Sequence, residues 1–289
     1  MHQRLWVVGS ANLDTVHRVA HLPVPGETVR SKQVAQFLGG KGANQAWAAR
    51  QVLSSTTFVA CVGRDAGGAL FQERFDGGLF EVDFPTGSAS ILVEDSGQNS
   101  IVVHSGANEH LSCGLVESLG IEEGEIVLTQ LETPMETIET LARLTDQLIL
   151  NLAPAMVVSH SLLERAYCLI LNESEGDTLT GIRPARDKDC FRVIRRLGAK
   201  MGILTRGAQG CAALLFGQEF LVPAPSVEVV DTTGAGDAFC GVFAAELALG
   251  TNPLQAVRQA LVAGSLACTK LGAMDSIPTK DAIDAFRSG

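Results

Sequence analysis

Apolar residues fall along this chain in two rhythms. Runs of five or six, rich in Val, Ile and Leu, recur near 5–9, 57–62, 126–130, 147–151, 167–171 and 201–205. They are too short for helices and suit buried strands. Between them, apolar positions return every three or four residues, which predicts helices near 43–53, 66–75, 134–145, 187–198, 234–249, 253–270 and 279–287. The segment 253–270 shows the logic. Asn252 caps it, Pro253 takes its first position, and Leu254, Val257, Leu261, Gly264 and Cys268 form one stripe. Strands alternating with helices predict an α/β fold, a mostly parallel central sheet covered by helices on both faces as an α/β/α sandwich. Ligands of such sheets sit beyond the carboxyl ends of the strands.

Two pairs of segments break the alternation. Residues 14–21 and 28–38 flank the turn Pro23-Val24-Pro25-Gly26-Glu27, and 89–94 and 99–104 flank Asp95-Ser96-Gly97-Gln98, a hairpin signal. Both pairs predict strands outside the main sheet. No linker or repeat divides the 289 residues, so they read as one domain, 1–289, with these strands inserted at about 14–38 and 89–104.

Composition removes several functions. Hydrophobic residues at 46% and charged residues at 19% are ordinary for a soluble enzyme. The net charge of −10 excludes nucleic acid as a partner, which needs a basic face. A nucleotide would then be held by local amides, magnesium and a few cations. Cys61, Cys113, Cys168, Cys190, Cys211, Cys240 and Cys268 stand singly, and the six histidines are dispersed, so neither a disulfide frame nor a zinc site is expected. Met1-His2-Gln3-Arg4 leads directly into the first expected strand, so no signal peptide is expected, and no apolar run reaches the ~18–20 residues of a membrane span. A cytoplasmic protein is expected, with no membrane partner.

The candidate chemistry lies in two stretches. Residues 231–241 read Asp-Thr-Thr-Gly-Ala-Gly-Asp-Ala-Phe-Cys-Gly after the β-branched Val227, Val229 and Val230. A glycine-rich turn feeding a helix leaves amides unpaired at the positive end of the helix dipole, which makes an anion seat. Asp237 is unwelcome beside an anion unless it takes a proton from a hydroxyl while the amides hold charge on a phosphoryl group. Early in the chain, Ser10-Ala11-Asn12-Leu13-Asp14 follows the first strand, and Gly39-Gly40-Lys41-Gly42-Ala43-Asn44-Gln45 opens an alanine-rich helix. Asn12, Asp14 and Asn44 are short polar side chains suited to gripping a polyol, and the glycine pair permits close backbone approach.

Together these stretches resemble the two signature regions of the ribokinase family of carbohydrate and nucleoside kinases, and Gly-Gly-Lys-Gly-Ala-Asn-Gln is similar to the form in its ribokinase members. Supporting pieces follow in order: Gln130-Leu131-Glu132-Thr133-Pro134, Asn151-Leu152-Ala153-Pro154-Ala155, Asn172-Glu173-Ser174-Glu175, and Leu204-Thr205-Arg206-Gly207 with Gly210. The resemblance spans nearly the whole chain. It implies a ribokinase-like sandwich whose extra strands form a small β-sheet lid over the sugar, often with a dimer contact. It implies transfer of the γ-phosphoryl group of ATP to a sugar hydroxyl, most simply the primary hydroxyl of D-ribose, with Mg2+ accompanying ATP.

Residue by residue, the resemblance makes Asp237 the catalytic base and Gly234, Ala235 and Gly236 its turn, with the backbone amides of Ala235, Gly236 and Asp237 as the anion hole. Asn12, Asp14, Gly40, Lys41, Asn44 and Glu132 match sugar-contacting positions. Asn172 and Glu175 match a magnesium- and phosphate-handling motif; read alone they are a helix cap and a surface acid. Thr205, Gly207 and Gly210 match a nucleotide-binding turn, or in isolation a plain hairpin. Asp231, Thr233, Ala267, Lys270, Gly272 and Ser276 fall where related kinases build a monovalent-cation cage, which implies K+.

The stretch from Asp65 to Ser88 is shorter than ribokinases usually have, and Gly77-Gly78-Leu79-Phe80 is an unfamiliar way across it. Sugar choice is therefore open, with another sugar or a nucleoside as alternative substrates. Aromatic residues at 5% favour a bare sugar over a base-lined site. A non-catalytic sugar sensor would have lost Asp237 or the glycines. A dinucleotide dehydrogenase fails because Gly9-Ser10-Ala11-Asn12 lacks the Gly-x-Gly-x-x-Gly fingerprint, and a Walker ATPase fails because Gly42 follows Lys41 where Ser or Thr should stand.

Overall fold

The first strand, β1 (Leu5–Val8), sends Leu5 and Val7 into one apolar layer and Trp6 and Val8 into another, as the period of two requires. That division runs through the molecule, which a computed structural model describes over residues 4–198 and 200–288. The expectation about how Met1-His2-Gln3 lead into the first strand lies outside the described residues.

After β1 come β2 (Asn12–Val19), β3 (Gln33–Gly39), α1 (Lys41–Val52), β4 (Thr57–Gly63), α2 (Ala66–Arg74) and β5 (Leu79–Val82). The middle holds β6 (Gly87–Glu94), β7 (Asn99–His104), α3 (Cys113–Glu117), β8 (Ile126–Gln130), α4 (Met135–Leu144), β9 (Gln147–Asn151), α5 (His160–Arg165), β10 (Cys168–Asn172) and α6 (Glu173–Thr180). The last part adds α7 (Asp187–Leu197), β11 (Met201–Thr205), β12 (Cys211–Leu215), β13 (Gln218–Val222), α8 (Ala235–Ala248), α9 (Pro253–Ala267) and α10 (Lys280–Ser288).

The large sheet has the order β13-β12-β11-β10-β9-β8-β1-β4-β5. From β5 to β11 every pairing is parallel, and β12 and β13 are added antiparallel at one edge. One face carries α1, α8 and α9 through Ala43, Ala46, Phe239, Phe243 and Val257; the other carries α4 and α7 through Ile138, Leu141, Val193 and Ile194. The sandwich and its mostly parallel sheet agree with the sequence pattern. Every strand and helix expected from periodicity is present, with ends shifted by up to three residues, and α9 has Asn252 at its N-cap and Pro253 first.

Periodicity did not find β5, β12, β13, α3, α5 or α6. The Cys-Ala-Ala-Leu-Leu of β12 is too short to distinguish a strand from a helix, and α6 buries only Gly176, so it has no apolar stripe to read. The unfamiliar Gly77-Gly78-Leu79-Phe80 becomes the turn into edge strand β5, with Ala60 N–H bonded to the Gly78 carbonyl at 3.3 Å.

The lid strands form a separate sheet, β3-β2-β6-β7, in which β2 runs antiparallel to β3 and parallel to β6. All seven cysteines are free. Among the described residues no helix is long and apolar enough to cross a membrane.

Candidate active site

Neighbouring strands leave β1 in opposite directions through the fold, to β4 on one side and β8 on the other. The carboxyl ends of strands at such a switch point open a crevice. Here β8, β9, β10 and β11 end in turn on Gln130, Asn151, Asn172 and Thr205, a row of polar side chains beyond apolar strands. Asn151, Asn172 and Thr205 line a cavity of about 220 Å3, closed by Lys41, Glu175, Asp237 and Cys240.

Asp237 stands in the first turn of α8, which starts at Gly234 with φ 76°. A side chain at Gly234 would be strained there and would come within 2.9 Å of the Ala273 backbone. Gly236 is exposed, and a Cβ there would meet nothing within 4 Å. The Ala235 amide already donates to the Thr232 carbonyl at 3.3 Å, so the anion hole expected from three amides has two open donors, Gly236 and Asp237. The Asp237 carboxylate accepts from Asn44 Nδ2 on Oδ2 and from Gln45 Nε2 on Oδ1, both at 3.0 Å. Burial raises its carboxyl above the usual range, partly offset by Lys41 and the two amides.

The sugar-contacting candidates lie on the lid side of Asp237. Gly40, with φ 87°, caps α1, and a Cβ there would lie 2.9 Å from the Asn12 amide nitrogen. The close approach expected at the glycine pair is thus made by the chain itself, and a Cβ on Gly39 would run into the Asp14 carboxylate. Asn12 is fixed by Asn108, whose Nδ2 donates to Asn12 Oδ1 at 2.7 Å and whose Oδ1 accepts from the Ala11 amide at 2.9 Å. Glu132 Oε2 accepts from the Ser10 hydroxyl and from the Lys41 amide at 3.1 Å.

Two acceptors in this half are buried with no partner, Asp14 Oδ1 and Asn44 Oδ1. Leaving such atoms unpaired is costly, so they mark where a hydroxyl-bearing ligand belongs. Burial, then Glu132 and Asp237, push the Asp14 carboxyl up to about 7. Burial would lower Lys41, but Asp237, Glu132 and Glu175 together hold its ammonium above the ordinary lysine value. One ammonium thus answers three carboxylates, with Asp14 adding a fourth beside Glu132 and Asp237, and donors from sugar hydroxyls would relieve that excess.

Asn172 and Glu175 are both helix cap and cavity wall. They form a capping box on α6, with the Asn172 amide donating to Glu175 Oε2 at 2.7 Å and the Glu175 amide to Asn172 Oδ1 at 2.9 Å. Glu175 is nevertheless no free surface acid, since burial raises its carboxyl. Of the turn after β11, only Thr205 lines the cavity; Gly207 opens outward, and Gly210 is pressed against Val222 to Ala224, where it serves the β11–β12 hairpin.

The cation-cage candidates fall into three groups. Asp231 accepts from the Thr233 amide at 3.0 Å, the Thr233 hydroxyl at 2.7 Å and the Gly272 amide at 3.0 Å. Ala267 accepts from the Lys270 amide at 3.4 Å, and the Ser276 hydroxyl donates to the Ala273 carbonyl at 2.8 Å. Among the described residues no cluster of three or more His, Cys, Asp or Glu could hold a metal.

Sequence reasoning assigned no role to Ser10, Gln45, Asn108, Gln130, Asn151 or Cys240. Gln45, Gln130 and Asn151 lay inside the motif strings, and a polar residue ending an apolar strand was the signal available for the last two. Asn108 is 97 residues from the amide it binds and gave no signal.

The description "pfkB family carbohydrate kinase" matches residues 2–280. A ribokinase of Haemophilus influenzae is 35% identical over 296 aligned residues, covering 97% of this chain and 97% of its own. The crystal structure of a Thermotoga maritima ribokinase is similar at 34% identity with a TM-score of 0.93, covering 99% of this chain and all of that one. An Arabidopsis thaliana ribokinase, solved in complex with ribose and ATP, is 31% identical with a TM-score of 0.87, covering 99% and 98% of the two chains.

Proposed function

Because this chain belongs to the pfkB family of carbohydrate kinases, we propose that it is an ATP-dependent ribokinase, transferring the γ-phosphoryl group to D-ribose. The observation that carries this reading is the pairing of Asp237 with two open α8 amides beside orphaned acceptors on Asp14 and Asn44. A base, an anion seat and an unsatisfied polyol site share one crevice.

The chemistry follows from that placement. The sugar hydroxyl oxygen forms a bond to the γ-phosphorus as the bond from that phosphorus to its bridging oxygen breaks, and ADP leaves. Asp237 takes the hydroxyl proton, late in a loose transition state, so a weak base suffices. The Gly236 and Asp237 amides and the Lys41 ammonium stabilise charge on the transferred group. Asn12, Asp14, Gly40, Asn44 and Glu132 hold the sugar, Asn172, Glu175 and Thr205 face the nucleotide, and Gly207 and Gly210 shape the turn that carries Thr205.

Among the described residues no three acidic side chains are arranged to hold a metal, so Mg2+ would arrive on the triphosphate, with Glu175 beside it, and supply charge neutralisation. Asp231, Thr233, Ala267, Lys270, Gly272 and Ser276 would hold K+. The Asp231 carboxyl, kept below its usual range by Thr233 and Gly272 despite burial, supplies a permanent negative charge for it. Its bonds tie the turn before α8 to the 268–276 loop, so a cation there would act on the anion hole indirectly.

The chain is read as one kinase domain, 1–289, carrying the lid strands as insertions. A homodimer through the lid and a cytoplasmic location complete the reading; seven free thiols and the need for ATP suit a reducing compartment.

The test is ADP release from Mg·ATP across pentoses, hexoses and nucleosides, with and without potassium. A sharp response to ribose, raised by potassium, is expected. Preference for a nucleoside or another sugar would move the substrate assignment while keeping the kinase, and silence on every acceptor would leave a sensor.

A further inference from the structure

Gln45 lies fully buried on α1, and its amide commits both its donors and its oxygen on one side of the catalytic carboxylate. Nε2 donates to Asp237 Oδ1 and to Asn151 Oδ1, each at 3.0 Å, while Oε1 accepts from Gln130 Nε2 at 2.7 Å. Asn151 Nδ2 donates onward to the Ile170 carbonyl at 3.1 Å. Gln130 and Asn151 are register partners at the ends of β8 and β9, so the chain of amides hangs from two rigid strands. Gly9, at the end of β1, makes the room: a Cβ there would run into Gln130 Oε1.

This arrangement has only one workable polarity. A carboxylate only accepts, so Gln45 must turn Nε2 toward Asp237, and Gln130 must then offer its own nitrogen to Oε1. Oδ1 of Asp237 is thereby committed on the core side. Oδ2 accepts from Asn44 Nδ2 at 3.0 Å, on the side where Asn44 Oδ1 lies buried with no partner.

We propose that Gln45 is a positioning residue for phosphoryl transfer, anchored by Gln130 and Asn151, which orients Asp237 so that Oδ2 takes the proton of the attacking hydroxyl. The inference rests on the kinase reading, in which Asp237 is the base. Its hydrogen bond also helps hold the Asp237 carboxyl down against burial, so Gln45 sets ionisation as well as aim. A methionine at this place would fill the same space with no amide, and so separates positioning from packing.

The experiment compares Gln45→Met, Gln130→Met and Asp237→Asn with the parent enzyme, measuring kcat, sugar KM and their pH profiles. Gln45→Met is expected to lower kcat by ~10–100-fold, the scale of a misaimed reacting group. Its sugar KM should stay within about threefold, since the contacts that bind the sugar are kept. The acid limb of kcat should move to higher pH, because a donor to the charged carboxylate is gone. Gln130→Met, one bond further out, should shift both readouts the same way by less.

A Gln45→Met enzyme with parental kcat and an unmoved acid limb overturns the proposal. So does a kcat loss matched by an equal rise in KM with the limb in place, which is packing damage. If Gln45→Met does not fold, an unmoved limb in Gln130→Met overturns it equally. Asp237→Asn separates the two levels: parental turnover there removes the base assignment itself, whereas low turnover there beside an intact Gln45→Met removes only the positioning role.

Discussion

A carboxyl held near 7 stands in the proposed sugar site, and Asp14 owes that value to its surroundings rather than to its own chemistry. Burial raises it most, then Glu132 and Asp237. A sugar hydroxyl donates best to the ionised form, so binding should release a proton when the pH is below about 7. The sign follows: as pH falls through that value, Asp14 is protonated and ribose affinity weakens. Between pH 8 and pH 6 the dissociation constant should rise roughly tenfold, the change in ionised fraction of a group with that pKa. Calorimetric titration in buffers of different ionisation enthalpy would count the proton, and Asp14→Asn should flatten the pH dependence. A flat profile in the parent enzyme would remove Asp14 from the sugar contacts. None of this was legible from the letter at position 14, because the shift comes from carboxylates 118 and 223 residues away in sequence.

Among the elements, the contact that decides the site is the crossing of α1 and α8. Gly241 lets the helices approach until an added Cβ would run into the Gln45 carbonyl and lie 2.9 Å from the Ala49 amide. Because that neighbour is backbone, the helices themselves would have to part. Gly241→Ala should therefore cost about 1–3 kcal/mol as an overpacked core. The melting temperature should drop by several degrees, and kcat should fall, since Asp237 on α8 would move away from Asn44 and Gln45 on α1. Scanning calorimetry with steady-state kinetics checks both, and a variant with parental stability would show that the crossing has slack. Strand and helix periodicity located both helices within a few residues. It said nothing of their being neighbours, because a glycine in a helical stretch reads as a propensity defect until the partner helix is seen.

For the molecule as a whole, the lid is the part with unfinished business. Register pairs place Asp14, Phe37, Ala89 and Val103 on one face, followed by Val16, Ala35, Ile91 and Ile101. That face starts at the sugar site and continues as an apolar surface, with Ile101 52% and Val103 56% exposed. A contiguous apolar face of this kind favours association, and a second copy of the same lid offers the matching surface. Ile101→Lys should convert a dimer to a monomer in sedimentation velocity and weaken ribose binding, since the lid would lose its backing. A monomeric parent at micromolar concentration would overturn the pairing.

The sequence by itself determined the class of fold, the alternation of its main strands and helices, the strands outside the main sheet, and the two motifs on which the proposed base, anion seat and polyol grip rest. These are legible because periodicity and turn chemistry are local, and because a glycine-rich turn before a helix does the same thing wherever it occurs. Tertiary structure alone decided that Gln130 and Asn151 stand side by side and that Gln45 joins them to Asp237, 192 residues further on. It decided that Ala235 gives its amide to Thr232, and that Glu175 is buried enough to matter. Those outcomes depend on which strand ends meet at one crevice and on how closely two helices pack, and neither distance is written in the spacing of residues along a chain.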